Sequence, residues 1–479
     1  MGSALKNSGL VSMGALAGIA LSMQFSALAQ KPVEPSMPIE ELRQLADVYG
    51  LIKSDYVESV EDKKLITEAI SGMVASLDPH SAYLDKKAYR DLREGTEGKF
   101  VGLGIEIAGS EDGYIRIVAP IEDSPAWRAG IKPGDLITSI DNVTIQGMGI
   151  DEAIKKMRGE AGTKVTLTVT RKESALPLAL TIARQEIIQK SVKGKIVEPG
   201  YAWLRISQFQ EPTLDDMVAK ILALYKQDPN LKGLVLDLRN DPGGLLQGAV
   251  GVSAAFLPRG AEIVSTNGQL PDSKMRFLSQ ARDYSFTSAD PLEGLPAALK
   301  SVPLAVLVNT GSASASEIVA GALQDYRRAA IIGTPTFGKG SVQTIRPLTS
   351  DTAIKLTTAR YYTPKGRAIQ ARGIIPDYLV DEYPDGDGIN ALRMREADLT
   401  RHLSNDRSKD SAQNARAQRD QTEEDLRVLA AERQRKPLEY GSADDFQLKQ
   451  ALNHLKGLPL KLSQAVPRAT LAQQGRKAP

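Results

Sequence analysis

The 479-residue chain contains no cysteine. Disulfides, thiol nucleophiles and cysteine-based zinc or iron–sulfur centres are therefore excluded, and stability has to come from core packing. Histidine is nearly as scarce, at His80, His402 and His454. That leaves little for a histidine-rich metal site and few imidazoles for a hydrolase that needs one as its base. No sign of charge dominates: 60 Lys and Arg stand against 58 Asp and Glu, a formal net charge of +2. A nucleic-acid binder, or a protein held on an acidic membrane surface, would normally carry a basic excess, so no nucleic-acid partner is expected. Aromatic residues make up only 5% of the chain, yet hydrophobic residues reach 42%, enough for buried cores. At roughly 150 residues per domain, the length predicts two to four domains.

The first 29 residues read as a targeting segment, with Lys6 as their only charge. A small-residue apolar run from about Leu10 to Met23 is short for a membrane span, and Ala27-Leu28-Ala29 before Gln30 is an A-x-A cleavage pattern. The expectation is an exported, periplasmic protein. The alternative is an uncleaved leader that keeps the chain membrane-associated.

Residues 30–98 begin with a proline-rich linker and continue with helical periodicity through Leu42, Leu45, Val48 and Ile52, then Leu65, Ile66, Ala69, Ile70 and Met73. Asp78-Pro79 stops the second helix, and Lys86 to Glu94 predicts a third, more charged one. Three such helices make a poor core alone and are expected to pack on another domain or a second copy of the chain.

Residues 99–186 predict a small β-rich module, with strands at Gly104–Ile107, Tyr114–Val118, Leu136–Ile140, Lys164–Thr170 and Leu178–Ala183 and helical pieces at Ala126–Ala129 and Asp151–Arg158. Gly102-Leu103-Gly104-Ile105, Asp123-Ser124-Pro125-Ala126 and Gly130-Ile131-Lys132-Pro133-Gly134-Asp135 resemble a PDZ domain. That resemblance implies that the Gly102-Leu103-Gly104 turn presents backbone N–H groups to a peptide's terminal carboxylate. The peptide would add as a strand beside Ile105 and meet Ile154 and Met157 on the second helix. The plainer alternative for the turn is an ordinary bend before a core strand.

Residues 187–384 alternate apolar strands (Ala202–Ile206, Gly233–Leu238, Leu304–Val308, Ala329–Ile332, Ala353–Tyr361) with helices (Leu245–Phe256, Ala315–Tyr326), an α/β layer pattern. In residues 385–441 Arg, Asp, Glu, Gln and Asn dominate and aromatics vanish until Tyr440, so a mobile or isolated-helix segment is expected. Residues 442–479 regain helical periodicity over Asp444 to Leu455 and end in a tail.

Three strings carry chemistry. Asn309-Thr310-Gly311-Ser312-Ala313-Ser314-Ala315-Ser316-Glu317 joins an apolar strand to a helix, where a serine is exposed beside free helix N–H groups. Local reasoning does not choose among Ser312, Ser314 and Ser316, and the spacing of Ser314 and Glu317 equally suits a helix cap. No histidine lies within the α/β domain, so a lysine with a burial-lowered pKa is the candidate base. Lys339 in Thr336-Phe337-Gly338-Lys339-Gly340-Ser341-Val342-Gln343 fits. In an extended chain Lys339, Ser341 and Gln343 share one face, so the Gln343 amide would orient the lysine. Asp237-Leu238-Arg239-Asn240-Asp241-Pro242-Gly243-Gly244 closes a buried strand, its glycines able to aim N–H groups at a neighbouring site and its Asp237 and Arg239 able to form a charge pair.

These strings, with Ser76-Leu77-Asp78-Pro79-His80-Ser81, resemble the carboxyl-terminal processing proteases, serine peptidases with a Ser-Lys dyad and an inserted PDZ domain, over roughly Glu40 to Asp381. The resemblance implies Ser314 as nucleophile, Lys339 as general base, Gln343 as its support, and oxyanion donors from Ala315 and the Gly243-Gly244 turn. It implies no cofactor and no metal. The fold expected is multidomain α/β: a helical N-terminal region, an inserted PDZ domain, a crotonase- or Clp-like α/β peptidase core, and a polar then helical C-terminal extension. The function expected is an exported endopeptidase that cuts proteins near free, apolar C-termini and assembles as a homo-oligomer, with an activating partner protein among its candidate partners. A non-catalytic PDZ scaffold that only holds protein tails is the rival class. An enoyl-hydratase-like enzyme on the related fold lacks any supporting acidic or nucleotide motif.

Overall fold

The computed structural model describes residues 37–463, except 111, 172–173, 175, 288, 385–392 and 407–437. The leader and its Ala27-Leu28-Ala29 site, most of the linker, most of the polar segment and the tail beyond residue 463 lie outside the described residues.

The chain divides into two units, residues 1–70 and 71–479. In the first, α1 (Ile39–Asp55) opens on Glu40 and Glu41, where the helix dipole favours negative charge, and has Lys53 in its last turn. None of its residues is buried, so its Leu42, Leu45 and Val48 form an exposed apolar stripe. The next helix is α2 (Asp62–Ala75).

The second unit begins with β1 (Ala82–Leu84) and α3 (Lys86–Glu97), which Asp85 caps by accepting from the Ala88 N–H and which ends at Gly98 with φ 71°. The PDZ-like module follows on a two-stranded stem: β2 (Lys99–Gly102) pairs antiparallel with β9 (Gln185–Ile188), so entry and exit lie side by side. Between them run β3 (Ile105–Gly109), β4 (Ile115–Pro120), α4 (Pro125–Arg128), β5 (Leu136–Ile140), β6 (Val143–Thr144), α5 (Ile150–Met157), β7 (Lys164–Thr170) and β8 (Leu178–Ala183). The sheet order is β3-β4-β5-β7-β8, with β6 hairpinned onto β5. Val165, Leu167 and Val169 of β7 alternate inward, as a half-buried strand requires, and meet Ile115, Ile117 and Ile137 in one core.

The α/β core is a six-stranded sheet in the order β10-β11-β12-β15-β16-β19. Its strands are β10 (Val192–Glu198), β11 (Tyr201–Ile206), β12 (Gly233–Asp237), β15 (Leu304–Val308), β16 (Ala330–Gly333) and β19 (Tyr378–Leu379). β10 is antiparallel to β11, and the remaining pairs are parallel. β12 and β15 are buried along their whole length, which is why β15 reads as an unbroken apolar run and β12 as one that ends only at Asp237. Helices α6 (Thr213–Gln227), α7 (Leu246–Phe256), α8 (Ala281–Tyr284) and α9 (Ala315–Asp325) connect these strands. A second sheet centres on β18 (Ala353–Tyr362), paired with β1, β13 (Glu262–Gly268) and β17 (Ser341–Pro347), and β14 (Arg276–Leu278) extends it from β13. Helix α10 (Phe446–Leu455) buries Leu448, Ala451 and Leu452 against Trp203, Val235 and Leu307.

Several features depart from the sequence expectation, among them strands β10, β13, β14 and β17, which it did not place. Helix α6 was not anticipated, although Leu214, Met217, Ile221 and Leu224 recur at helical spacing and are all buried. The expected mobile segment 385–441 is ordered at 393–406 and 438–441, where Glu396 is fully buried and Tyr440 lies over the Arg239 guanidinium.

Candidate active site

Parallel pairing of β12 with β15 puts Asp237 level with Leu307, so the turns leaving the two strands emerge together at the carboxyl end of the sheet. The turn after β15 carries the three serines, and the structure separates them. Ser312 Oγ donates to the Leu238 carbonyl at 2.8 Å and Ser316 Oγ donates to the Asp241 carbonyl at 3.0 Å. Both are completely buried and serve to lock the two turns together. Ser314 sits at φ 53° and ψ −111°, a strained conformation for a side chain-bearing residue, at the strand-to-helix junction. With Glu317 three residues on it forms a capping box at the start of α9, and its hydroxyl lies beside the Tyr361 phenol, whose own pKa burial pushes up to about 12.

Glu317 ties this junction to the lysine loop. Its Oε2 accepts from the Ser314 N–H (2.8 Å) and the Lys339 N–H (2.9 Å), and its Oε1 accepts from the Gly338 N–H (2.7 Å) and the Thr336 hydroxyl (2.5 Å). Burial pushes this carboxyl up to about 7 against the pull of those four donors. The Glu317 carboxylate of the capping box thus serves both Ser314 and Lys339. The Phe337 N–H adds a bond to the Ser312 carbonyl at 3.0 Å.

Lys339 is held below the ordinary lysine range, first by burial and then by the Lys355 charge, with Glu396, Glu317 and Asp78 opposing. Among the described residues its Nζ makes no hydrogen bond or ion pair, and no bond joins it to Ser314 Oγ. The backbone route through Glu317 is what the structure shows between the two residues. β17 begins only at Ser341, so Lys339 lies just before the strand whose face it was expected to share. Ser341 and Gln343 do share one: Gln343 Nε2 donates to Ser341 Oγ (3.0 Å) and to Thr357 Oγ1 (3.2 Å). Gly340 has no room for a side chain, since a Cβ would lie 2.2 Å from the Gln370 nitrogen.

Gly243 and Gly244 adopt φ 96° and 142° against this junction. A Cβ on Gly243 would lie 2.8 Å from Ser314 Cβ, and one on Gly244 would lie 2.0 Å from the Phe209 carbonyl oxygen. The two were expected to offer N–H groups together, but the Gly243 N–H donates to Asp241 Oδ1 at 2.8 Å. The short Asx turn takes that donor, leaving Gly243 to supply space. The N–H groups of Gly244 and of Ala315, the first residue of α9, make no hydrogen bond among the described residues. Burial pushes the Asp241 carboxyl up to about 8.

Behind the turn, Arg239 is fully buried and bonds Asp237 Oδ1 (2.9 Å) and Oδ2 (2.6 Å), Asp445 Oδ1 (2.9 Å) and Oδ2 (2.6 Å), and Gln447 Oε1 (3.1 Å). The anticipated Asp237–Arg239 pair is therefore part of a larger knot that α10 completes. None of the three histidines contacts Ser314: His80 pairs with Glu396, His402 Nδ1 is bonded to the Leu399 carbonyl, and His454 lies against the Tyr378 ring. Among the described residues no cluster of His, Asp or Glu is suited to a metal ion.

In the PDZ-like module, Gly104 at φ 77° packs on Ser124, where a Cβ would lie 2.2 Å away. The N–H groups of Leu103 and Gly104 make no hydrogen bond among the described residues. Leu103 and Met157 belong to the module's core, while Ile105 and Ile154 are only partly buried. Gly102 ends β2 and is buried. Arg158, just beyond α5, bonds Asp91 (3.2 Å) and Glu94 (3.0 Å) of α3 and so joins the module to that helix.

Fold and site define a serine-type peptidase that carries a PDZ domain. The model of peptidase family S41 matches residues 200–380, that of the PDZ domain residues 116–171, and that of the activating protease CtpB N-terminal domain residues 12–88. A carboxy-terminal-processing protease of Bartonella bacilliformis is 43% identical over 84% of this chain and 90% of its own length. A probable CtpA-like serine protease of Staphylococcus aureus is 38% identical over 71% of this chain and 65% of its own. Among solved structures, the photosystem II D1 C-terminal processing protease is 28% identical, with a TM-score of 0.41 over 71% of this chain and 86% of that one. The chain belongs to peptidase family S41, with the carboxy-terminal-processing proteases.

Proposed function

We propose that this serine peptidase is exported and cuts protein substrates near their free C-termini with Ser314 as nucleophile and Lys339 as general base. One observation carries the assignment: Ser312 and Ser316 donate their hydroxyls to backbone carbonyls of the neighbouring turn, while Ser314 sits at a strained junction tied through Glu317 to the lysine loop. The neutral Lys339 amine takes the Ser314 proton as Oγ bonds to the scissile carbonyl carbon. The N–H groups of Ala315 and Gly244 receive the developing oxyanion. The amine leaves with the proton that Lys339 carries; water, deprotonated by the same lysine, then adds to the acyl carbon, and the acyl–oxygen bond breaks as Lys339 returns the proton to Ser314 Oγ. Gln343 positions the lysine. No cofactor or metal takes part.

In this reading the PDZ domain is inserted over a crotonase- or Clp-like core and takes the substrate tail at Gly102, Leu103, Gly104 and Ile105, with Ile154 and Met157 along the groove; the unused N–H groups of Leu103 and Gly104 support a carboxylate there. The exposed apolar stripe of α1 supports a homo-oligomer contact. An activating partner and a periplasmic location, free or at the membrane surface, complete the proposal. Among the described residues no helix is long and apolar enough to cross a membrane.

The test is proteolysis of a protein with an apolar tail by Ser314→Ala and Lys339→Ala variants. Each should be inactive with an unchanged melting temperature. Wild-type activity in either variant rejects the dyad.

A further inference from the structure

The turn Asp78–Ser81 has no part in the chemistry above, yet it lies directly behind it. Asp78 is buried and accepts four hydrogen bonds: Oδ1 from the backbone N–H groups of His80 (2.8 Å) and Ser81 (2.9 Å) and from Thr357 Oγ1 (3.1 Å), and Oδ2 from Ser81 Oγ (2.7 Å). Burial pushes its carboxyl up, but those donors outweigh it and hold the group below the usual carboxylate range. An ionised carboxylate only accepts, so the single Thr357 hydroxyl proton is committed to Asp78. Thr357 Oγ1 is then an acceptor toward Gln343, and only the NH2 end of that amide can face it, as the 3.2 Å contact to Nε2 records. The second Nε2 proton goes to Ser341 Oγ. Both donors of the Gln343 amide are thereby fixed on this side, and its Oε1, which has no partner among the described residues, is the end left over.

The same turn grips the other flank of the lysine. The Gly340 N–H donates to Gln370 Oε1 (3.0 Å), Gln370 Nε2 donates to Glu396 Oε1 (2.7 Å), and Glu396 Oε2 meets the His80 ring at 2.7 Å. β1, which continues the turn, pairs with β18 from Ala82↔Lys355 onward and so fixes the register of Thr357 against Asp78.

We infer that Asp78 is a positioning residue for the lysine base: through the Thr357 hydroxyl it sets the orientation of the Gln343 amide, so that Gln343 Oε1 is the acceptor presented to Lys339 Nζ. The inference rests on the Ser314–Lys339 reading. Without the carboxylate, Thr357 is free to donate to Gln343, the amide can turn over, and its NH2 end would then oppose the amine it should hold.

The experiment compares Thr357→Val with Thr357→Ser, each alone and in a Gln343→Ala background, by kcat and KM on one protein substrate and by melting temperature. Thr357→Val should lower kcat by roughly 10- to 100-fold, the scale of a small misplacement of a reacting group, with KM little changed. Thr357→Ser should restore kcat. In the Gln343→Ala background Thr357→Val should cost nothing further, because its effect passes through that amide. A folded Thr357→Val enzyme with wild-type kcat, or losses that multiply in the double variant, overturns the inference. Should Thr357→Val fail to fold, Asp78→Asn decides. Four charged groups act on Lys339: Lys355, Glu396, Glu317 and Asp78. Asp78→Asn should lower kcat with KM little changed, and since the Asp78 charge favours the protonated amine its loss should also move the acid limb of kcat/KM to lower pH; a folded Asp78→Asn enzyme with wild-type kcat rejects the role. If Ser314→Ala remains active, the catalytic reading itself fails. If Ser314→Ala is dead and Thr357→Val is not impaired, only the positioning role fails.

Discussion

Replacing Glu317 with glutamine removes one charge and one acceptor from the centre of the site while keeping its size. The carboxylate takes four donors, two on each oxygen. A glutamine has one acceptor oxygen and one NH2 group. Its least costly orientation keeps the oxygen on the Ser314 and Lys339 N–H groups. The Thr336 hydroxyl can rotate to accept from the new NH2, but the Gly338 N–H cannot, and it is left buried against like hydrogens. One such orphaned donor costs about 1–3 kcal/mol, and for a domain of this size each kcal/mol lowers the melting temperature by roughly 2–4 °C. The variant should therefore fold. Its activity should fall further than its stability suggests, because Gly338 adjoins Lys339 and a displacement of about 1 Å can cost on the order of 100-fold in rate. The Glu317 charge also favours protonated Lys339. With that charge gone the amine loses its proton more readily, so the acid limb of kcat/KM should move to lower pH. Because burial pushes the wild-type carboxyl up to about 7, its charge is complete only above neutrality, and the displacement should be greatest there. Thermal melts and a kcat/KM profile against pH on one protein substrate measure all three effects. A Glu317→Gln enzyme with wild-type melt and profile would refute the bridge between serine and lysine.

Other outcomes follow from the same geometry. Wild-type activity should rise with pH through the depressed pKa of Lys339; Lys355→Met removes a neighbouring positive charge, raises that pKa and should shift the acid limb of a pH–rate profile upward. Asp445→Ala leaves the Arg239 guanidinium buried with one carboxylate fewer, a loss of about 3–5 kcal/mol when a buried pair is broken, which urea denaturation should register; an unchanged midpoint would count against the knot. Amidating the C-terminus of a substrate should lower kcat/KM by about tenfold or more if the PDZ turn reads a carboxylate, one charge-assisted bond being worth about 1.5–3 kcal/mol; equal cleavage of free and amidated tails would reject tail reading and leave the Ser314 chemistry in place.

Local periodicity and turn chemistry determined much of this protein. β5, β7 and β8 of the PDZ domain and β15 of the core are legible to the residue, because a strand with one buried face alternates and a strand buried on both faces is uniformly apolar. The three site strings were legible for a related reason: each packs glycines and polar side chains into a turn, where residue type answers directly to backbone geometry. Tertiary structure alone decided what those strings do to one another. The choice of Ser314 over its neighbours depends on carbonyls 74 and 75 residues from Ser312 and Ser316. The Arg239 knot closes on a residue 206 positions away. Tyr361, the four-way grip of Glu317 and the reach of Asp78 to Gln343 are likewise set by strand register and by which donors are already spent. A sequence records how each segment can bend and which face it hides. Which hydroxyl or N–H remains unsatisfied is a property of the assembled hydrogen-bond network, and it exists only once the β12 and β15 turns and the β17–β18 pair have come together.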